Sequence, residues 1–257
     1  MELTYFEKRE FYEQGYLLVP GVVPKARVDA ALRVINHSLG QGMKEEDMTK
    51  FRAQSYCPEL TRTDEIVGLV TKTPAWDFAE SLIGVGEIDM PTSAQIALRF
   101  PGLHNPPSAP KPHLDGIHTP TNGVPKGVIM NFTMLVGVFL SDVPHDFAGN
   151  FTVWSGTHHQ YEQYFQEHGA ETILDGMPSI DLPPPTQLRV QAGDVAFVHY
   201  ETAHAASLNI SPNVRYALFF RLHRHGHNDR KVAVMTDIWQ EWDGMREIVA
   251  EQTGLQK

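Results

Sequence analysis

The spacing of apolar residues changes along the chain, from a helical period in its first third to short alternating runs afterwards. Apolar side chains recur every three or four positions over residues 28–39, and Gly40 follows as a helix terminator. The other predicted elements of this part are two short helices at residues 64–69 and 74–83, an extended segment at 15–20 and a polar loop at 41–58. The first part of the chain, about residues 1–90, is therefore predicted to be largely helical.

Beyond about residue 92 the apolar runs become short and are separated by Pro, Gly, Asn and Asp, a pattern typical of a sandwich or barrel of β-strands. The predicted strands are residues 93–100, 129–140, 151–154, 186–190, 194–199 and 215–223. No repeat or linker divides the chain, so residues 1–257 are predicted to form a single domain. Its β core covers about residues 92–225, and a C-terminal helix covers about 237–252.

Composition and charge narrow the classes of partner. Lys and Arg number 21 against 31 Asp and Glu, a formal net charge of −10. This balance argues against nucleic acid or an anionic membrane as the main partner, because both require a basic surface. Cys57 is the single cysteine, so no intrachain disulfide can form, which fits a reducing compartment. Without an apolar targeting segment at the N-terminus or a run of about 20 apolar residues, we expect a cytoplasmic protein.

Thirteen histidines invite a search for a metal site. His113 and Asp115 are separated by one residue, and on an extended strand such side chains project to the same face. They would supply two of the three ligands of the facial triad of non-haem Fe(II) oxygenases. Taken alone, the pair is better explained as a surface salt link.

A second histidine and an arginine follow in the last part of the β region. His204 and Arg215 lie eleven residues apart, with turn-forming residues between them, so they are predicted to lie on neighbouring strands of one hairpin. A planar guanidinium binds a carboxylate with two parallel hydrogen bonds. His199 is an alternative third ligand. The separation of eleven residues between His204 and Arg215 favours His204 instead.

Four passages of the sequence together resemble the phytanoyl-CoA dioxygenase family of Fe(II)/2-oxoglutarate-dependent oxygenases. They are residues 11–23, the pair His113 and Asp115, residues 149–158, and the pair His204 and Arg215. The resemblance implies a mainly β fold with flanking helices, built on a double-stranded β-helix or jelly-roll core. It further implies that His113, Asp115 and His204 bind Fe(II), that Arg215 pairs with the distal carboxylate of 2-oxoglutarate, and that Ser207 adds a hydroxyl contact to this cosubstrate.

The activity that this resemblance implies is oxidation by O2 of an unactivated C–H bond in a small organic molecule, most simply hydroxylation. 2-Oxoglutarate is converted to succinate and CO2. Related halogenases have a small residue in place of the triad carboxylate, which opens a position for chloride; Asp115 fills that position, so we expect no halogenation. Two alternatives stay open: a cupin-type metal enzyme that does not use 2-oxoglutarate, including a zinc hydrolase, and a non-catalytic jelly-roll binding protein.

The remaining candidate residues have simpler interpretations. Trp154 and Tyr200 are expected in the core rather than in the substrate wall, and His158 and His159 are expected to be structural. Three alternating histidines, His223, His225 and His227, are expected at a solvated strand end.

Two further features bear on the entrance and wall of the site. Arg221 shares a face with Arg215 by strand alternation, but twist of the strand is expected to return it to water. The proline-rich segment 103–112 runs into His113, and we expect it to shape the pocket entrance. His118 lies at the pocket mouth or in an ordinary loop.

Overall fold

The computed structural model describes residues 1–102 and 106–254. Its helices are α1 (Tyr5–Gln14), α2 (Lys25–Gly40), α3 (Met48–Ala53), α4 (Asp64–Thr71), α5 (Pro74–Ile83), α6 (Thr157–His168), α7 (His227–Arg230) and α8 (Arg246–Gly254). Its strands are β1 (Tyr16–Val19), β2 (Gln95–Arg99), β3 (Met134–Phe139), β4 (Phe151–Val153), β5 (Thr186–Gln187), β6 (Val195–His199), β7 (His204–Ala206) and β8 (Arg215–Leu222). Within the described residues, no helix has the length and apolar character needed to cross a membrane.

Two antiparallel sheets face each other and form the predicted jelly-roll core. The larger sheet has the strand order β1-β6-β3-β8-β2, and the smaller has the order β5-β4-β7. Val136 of β3 lies between Phe197 of β6 and Phe220 of β8, which fixes the register at the centre of the larger sheet. Because neighbouring residues of β3 point to opposite faces, this strand contributes to two cores.

One core lies between the larger sheet and the helices. Val136 packs there with Ile35 of α2, Leu69 of α4 and Leu82 of α5. The second core lies between the two sheets, where Leu135 and Phe219 pack with Phe151 of the smaller sheet. The helices therefore cover the outer face of the larger sheet, and the inner face is left for the site.

Local sequence explains where several helices begin and end. Thr4 and Glu7 form a capping box at the start of α1, each side chain bonding to a backbone N–H of the other residue. Gly15 ends this helix with φ 75°, and a Cβ at that position would collide with Thr202 Oγ1. Pro74 occupies the first turn of α5, where it is tolerated, and the Thr73 hydroxyl accepts from the Ala75 N–H.

Helices, with the 3-10 turns included, occupy 37% of the described residues and strands 17%, so the mainly β description applies to the core alone. Four helices were missed, α1, α3, α6 and the single turn α7. The charged N-terminal segment buries only Phe11 of its ten helical residues, which leaves no amphipathic stripe to detect. In α6 the buried pair Tyr161 and Phe165 has helical spacing, but the surrounding residues are polar.

Three predicted boundaries are corrected. The stretch 41–58 is not a loop throughout, because it contains α3 and short 3-10 turns. The C-terminal helix begins at Arg246 instead of at residue 237; the chain before it forms 3-10 turns at Ala233–Met235 and Asp243–Met245. The predicted strand 129–140 is shortened to β3, since residues 129–133 are irregular backbone.

Candidate metal centre

His113, Asp115 and His204 converge at one end of the space between the sheets. One potential ligand atom from each side chain lies within 4.8 Å of the other two. The Oδ1 atom of Asp115 is 3.5 Å from Nε2 of His113 and 3.7 Å from Nε2 of His204. The two-histidine, one-carboxylate set expected from the sequence is therefore brought together by the fold.

The backbone holds the two histidines directly. His113 and His204 form an isolated antiparallel bridge, with His113 N–H donating to His204 C=O at 2.9 Å and the reverse bond at 3.1 Å. His204 also begins β7, where it pairs with Val153 of β4. Directly after Asp115 the chain reverses at Gly116, whose φ is 81° and whose Cβ, if present, would collide with the Met130 carbonyl. The extended His113–Asp115 segment is thus fixed at both ends.

The hydrogen-bonding role of each ring nitrogen of His204 follows from its surroundings. Its Nδ1 atom lies 3.0 Å from the Thr202 carbonyl, which can only accept a hydrogen bond, so Nδ1 is the donor of that bond. Nε2 is then the nitrogen that is available to a metal, and it faces Asp115 and His113. A carbonyl that fixes the tautomer in this way is typical of metal-binding histidines.

The charges around the three residues favour cation binding. Burial opposes ionisation of Asp115, but Arg221 and the two histidines outweigh this effect and hold the pKa of Asp115 well below its ordinary value. Desolvation, with a smaller effect from His204, lowers the pKa of His113. An ionised carboxylate beside two imidazoles has the donor chemistry that Fe(II) requires.

Arg215 lies in the same cavity and is almost completely buried, with an exposure of 2%. Its Nε donates to the Gly149 carbonyl at 2.7 Å and its Nη1 to the Ala97 carbonyl at 3.0 Å. Nη2 is buried and has no hydrogen-bond partner among the described residues. Desolvation, together with the positive charge of Arg99, lowers the pKa of Arg215 to about 9. A buried cation with one unused donor and no acidic partner fits an anionic ligand.

The cavity that joins these residues has a volume of about 410 Å³. The apolar part of its wall is formed by Leu135, Phe151 and Phe219, and the polar part by the triad and Arg215. The three donor atoms and the orphaned Nη2 of Arg215 fit a metal ion and a carboxylate ligand in one cavity.

The structure places the Ser207 side chain outside the cavity that holds the triad. Its hydroxyl bonds to the Leu208 carbonyl at 3.1 Å and to Asn150 Oδ1 at 3.3 Å. Ser207 lines a separate surface depression, while Ala205 and Ala206 line the cavity. The backbone beyond β7 therefore turns the serine away from the site.

The expectation that Arg221 returns to water is partly correct, because its side chain is 37% exposed. Arg221 lines the cavity and donates to Asp115 Oδ2, and its Nη2 also reaches Gln95 Oε1 at 3.1 Å. β8 keeps its regular pairing with β3 through this position, without the bulge or twist needed to redirect the side chain.

The other histidines have separate roles. His199 is buried, and its Nε2 bonds to the Ile238 carbonyl at 3.1 Å, so it lies outside the candidate metal cluster. His158 and His159 each bond through Nε2 to the Tyr12 carbonyl at 2.9 Å, in agreement with a structural role. His118 bonds to the Val124 carbonyl and is an exposed loop residue.

The solvated strand end predicted for the alternating histidines is only partly correct. His225 is exposed and paired with Asp89, but His227 is buried and bonds to Glu241 at 2.8 Å. Trp154 and Tyr200 are core residues, as predicted, each 4% exposed.

The proline-rich segment does not form the cavity wall where the structure describes it. Residues 103–105 lie outside the described residues, and none of residues 106–112 lines the cavity. Instead, the sequence analysis missed Arg99 and Arg52, which do line it. Alternation along β2 places Gln95, Ala97 and Arg99 on the cavity face, a signal that was available; α3, which carries Arg52, was taken for a loop.

Comparison with known proteins gives a family match. The model of a family described as phytanoyl-CoA dioxygenase (PhyH) matches residues 11–217. No curated protein matches the chain in sequence.

Solved structures are similar in fold. HygX from Streptomyces hygroscopicus with nickel and 2-oxoglutarate bound has a TM-score of 0.58 and 15% identity, over 88% of this chain and 89% of that chain. The non-heme monooxygenase ThoJ in its nickel complex has a TM-score of 0.56 and 19% identity, over 84% of this chain and 76% of that chain. HygX with nickel, 2-oxoglutarate and hygromycin B bound has a TM-score of 0.55 and 14% identity, over 87% of this chain and 88% of that chain.

Proposed function

This chain belongs to the phytanoyl-CoA dioxygenase family, and from that premise we propose that His113, Asp115 and His204 bind its Fe(II) and that Arg215 binds the distal carboxylate of 2-oxoglutarate. The chain is an Fe(II)- and 2-oxoglutarate-dependent dioxygenase that uses O2. We assign to it the oxidation of an unactivated C–H bond, most simply hydroxylation, in a small organic molecule.

The unused Nη2 donor of Arg215, in the cavity that holds the triad, carries this proposal. Backbone carbonyls hold the other two guanidinium nitrogens in place, so the free donor has a fixed direction. A cupin-type enzyme that needs only a metal would gain nothing from a buried, unpaired cation, whose burial is costly. A carboxylate ligand relieves that cost.

The residues around the triad control how ligands are held. His204 presents Nε2 to a metal because the Thr202 carbonyl accepts a hydrogen bond from Nδ1. Asp115 presents Oδ1 because Arg221 occupies Oδ2. The apolar side chains of Leu135, Phe151 and Phe219 exclude water from the cavity wall and leave room for an organic substrate.

When bound, the metal and 2-oxoglutarate supply the oxidising chemistry: one O2 is consumed, 2-oxoglutarate gives succinate and CO2, and the substrate C–H becomes C–OH. Asp115 occupies a ligand position with a negative charge, which opposes binding of a chloride ion there. We therefore assign oxygenation, not halogenation. The HygX structure that holds nickel, 2-oxoglutarate and hygromycin B supports a small-molecule substrate for this fold.

The test measures succinate formed from 2-oxoglutarate by the Fe(II)-loaded protein, with and without a metabolite extract. We expect turnover that requires Fe(II) and O2 and that rises with a component of the extract. Product mass spectrometry in chloride buffer should then show addition of oxygen. Absence of succinate under all conditions, or a chlorinated product, would contradict the proposal.

A further inference from the structure

The cavity is strongly cationic although the protein carries a net charge of −10. Among the described residues that line it are four arginines, Arg52, Arg99, Arg215 and Arg221, and a single carboxylate, that of Asp115. Four guanidinium groups against one carboxylate leave three positive charges in excess. A concave site of one sign attracts ligands of the opposite sign.

Two of the four arginines already have roles. Arg221 pairs with Asp115, and Arg215 is assigned to 2-oxoglutarate by the proposed function, on which the present inference rests. Bound Fe(II) adds two positive charges and bound 2-oxoglutarate adds two negative charges. The loaded cavity therefore keeps the excess of positive charge that its side chains have, and this excess is centred on Arg52 and Arg99.

Arg99 projects into the cavity beside Arg215. The two residues are register partners on β2 and β8, and Gly149 lies against both of them: a Cβ there would be 2.9 Å from Arg99 Cβ and 3.1 Å from Arg215 Cβ. Unlike Arg215, the Arg99 guanidinium makes a single long hydrogen bond among the described residues, from Nη1 to the Leu98 carbonyl at 3.4 Å. Its remaining donors can therefore turn toward a ligand.

Arg52 approaches the same region from α3 and lines the cavity with its neighbour Ala53. Arg52 and Arg99 line the same cavity, and the positive charge of Arg52, after burial, lowers the pKa of Arg99. No carboxylate of the described residues pairs with either arginine within 4.0 Å. Two neighbouring cations without an acid between them gain most from an oxyanion that bridges them.

We propose that Arg99 and Arg52 bind an acidic group of the oxidised substrate, which is therefore a small organic anion carrying a carboxylate or a phosphate ester. The two guanidinium groups anchor the acid at the β2 and α3 side of the cavity. The apolar part of the substrate then lies along Phe151 and Phe219 toward the triad. Selection by charge in this way excludes neutral analogues of the same shape.

The test uses the full chain loaded with Ni(II) and saturated with 2-oxoglutarate, so that the triad and Arg215 are occupied. Benzoate and phenyl phosphate are titrated at low ionic strength, and neutral benzamide is the probe of matched size. Binding is measured by calorimetry and by the shift in Tm. We expect saturable binding of both anions and none of benzamide.

The variants Arg99→Gln and Arg52→Gln should each weaken binding of the anions about tenfold, the loss of one charge-assisted contact. Arg62→Gln removes the same charge from an exposed position outside the cavity lining and should bind the anions as the unmodified chain does. The Tm of each variant without probe shows whether it is folded. Equal binding of benzamide, absence of anion binding, or unchanged affinity in both cavity variants would overturn the inference.

A second measurement separates this inference from the proposed function. 2-Oxoglutarate affinity is read from the charge-transfer absorption that it forms with Fe(II) without O2. We expect Arg99→Gln to retain that affinity; a loss as large as the loss for the probes would make Arg99 a cosubstrate residue and overturn the inference. If the unmodified chain does not bind 2-oxoglutarate, the proposed function fails, while anion titration of the Ni(II)-loaded chain still reports on Arg99 and Arg52.

Discussion

Arg221 donates two hydrogen bonds to one oxygen of Asp115, from Nη2 at 2.7 Å and from Nε at 3.1 Å. The bonds leave the second carboxylate oxygen, Oδ1, facing the Nε2 atoms of the two histidines. Gln95 accepts from the same Nη2 at 3.1 Å and limits rotation of the guanidinium. Each oxygen of Asp115 thus has its own partner, and the carboxylate has one orientation.

Replacing Arg221 by Gln should weaken metal binding about tenfold, because loss of a residue that orients a ligand typically costs that much. Arg221→Lys should restore part of the affinity, since an ammonium keeps the charge but not the planar fork. The dissociation constant of Ni(II), measured by calorimetry, is the readout. Arg189→Gln, which breaks an exposed pair with Asp146, is the matched control and should bind Ni(II) normally. Identical Ni(II) affinity in Arg221→Gln would remove the orienting role.

Arg215→Ala should lose 2-oxoglutarate affinity while keeping the metal. The variant removes the fixed Nη2 donor and leaves the cosubstrate carboxylate without its charged partner. The loss should reach about two orders of magnitude, equivalent to about 2.7 kcal/mol. Arg215→Lys should recover only part of it. Titration of 2-oxoglutarate into the Fe(II) protein without O2 gives the affinity, and superimposable curves for the variant and the unmodified chain would refute the assignment.

Only part of the candidate metal site could be predicted from local geometry, and the full ligand set was expected from the family resemblance. The spacing of His113 and Asp115 needs only an extended backbone to place both side chains on one face. The hairpin expected between His204 and Arg215 is wrong: β7, which begins at His204, belongs to the smaller sheet, and β8, which begins at Arg215, belongs to the larger sheet. The turn in which Asn209 bonds to the Asn213 carbonyl at 2.7 Å therefore leads from one sheet to the other.

The residues that prediction misjudged depend on contacts that no sequence pattern specifies. Ser207 is turned away by its bond to Asn150, which is distant in sequence. Arg221 remains in the cavity because Asp115 arrives from another part of the chain to pair with it. Arg52 and Arg99 meet only when α3 packs beside the end of β2. Helical content was underestimated for the same reason. The helices α1 and α6 are stabilised by packing against the rest of the protein and lack a clear amphipathic pattern in the sequence.

His204→Ala should abolish metal binding or weaken it severely, whereas His199→Ala should retain the metal. His204 offers Nε2 to the cluster, while both ring nitrogens of His199 are already engaged: Nε2 with the Ile238 carbonyl and Nδ1 with the Glu201 N–H. Metal analysis of both purified variants, loaded at a temperature where both are folded, tests the difference. A metal-free His199 variant beside a loaded His204 variant would show that the third ligand was misassigned.

Buried His199 should make the protein less stable in acid. Its ring stacks on Trp242 with centroids 5.1 Å apart, and burial lowers its pKa from 6.5 to about 3. Between these two values the unfolded chain binds a proton that the folded chain does not, so stability is present above about pH 6.5 and is lost as the pH falls toward 3. From pH 7 to pH 5 this histidine alone should lower the free energy of unfolding by on the order of 2 kcal/mol.

Urea unfolding at pH 7 and pH 5 measures this loss of stability for the unmodified chain, His199→Gln and His118→Gln. EDTA is present so that no metal contributes. His199→Gln should be less stable than the unmodified chain at pH 7, because a stacked ring is removed, but its stability should fall by about 2 kcal/mol less on acidification. His118→Gln changes an exposed loop histidine and should fall as the unmodified chain does. Buried His158, whose pKa burial also holds well below its ordinary value, leaves part of the acid sensitivity in every chain. If His199→Gln lost as much stability as the unmodified chain between the two pH values, the neutral state of His199 would not be the source of the sensitivity.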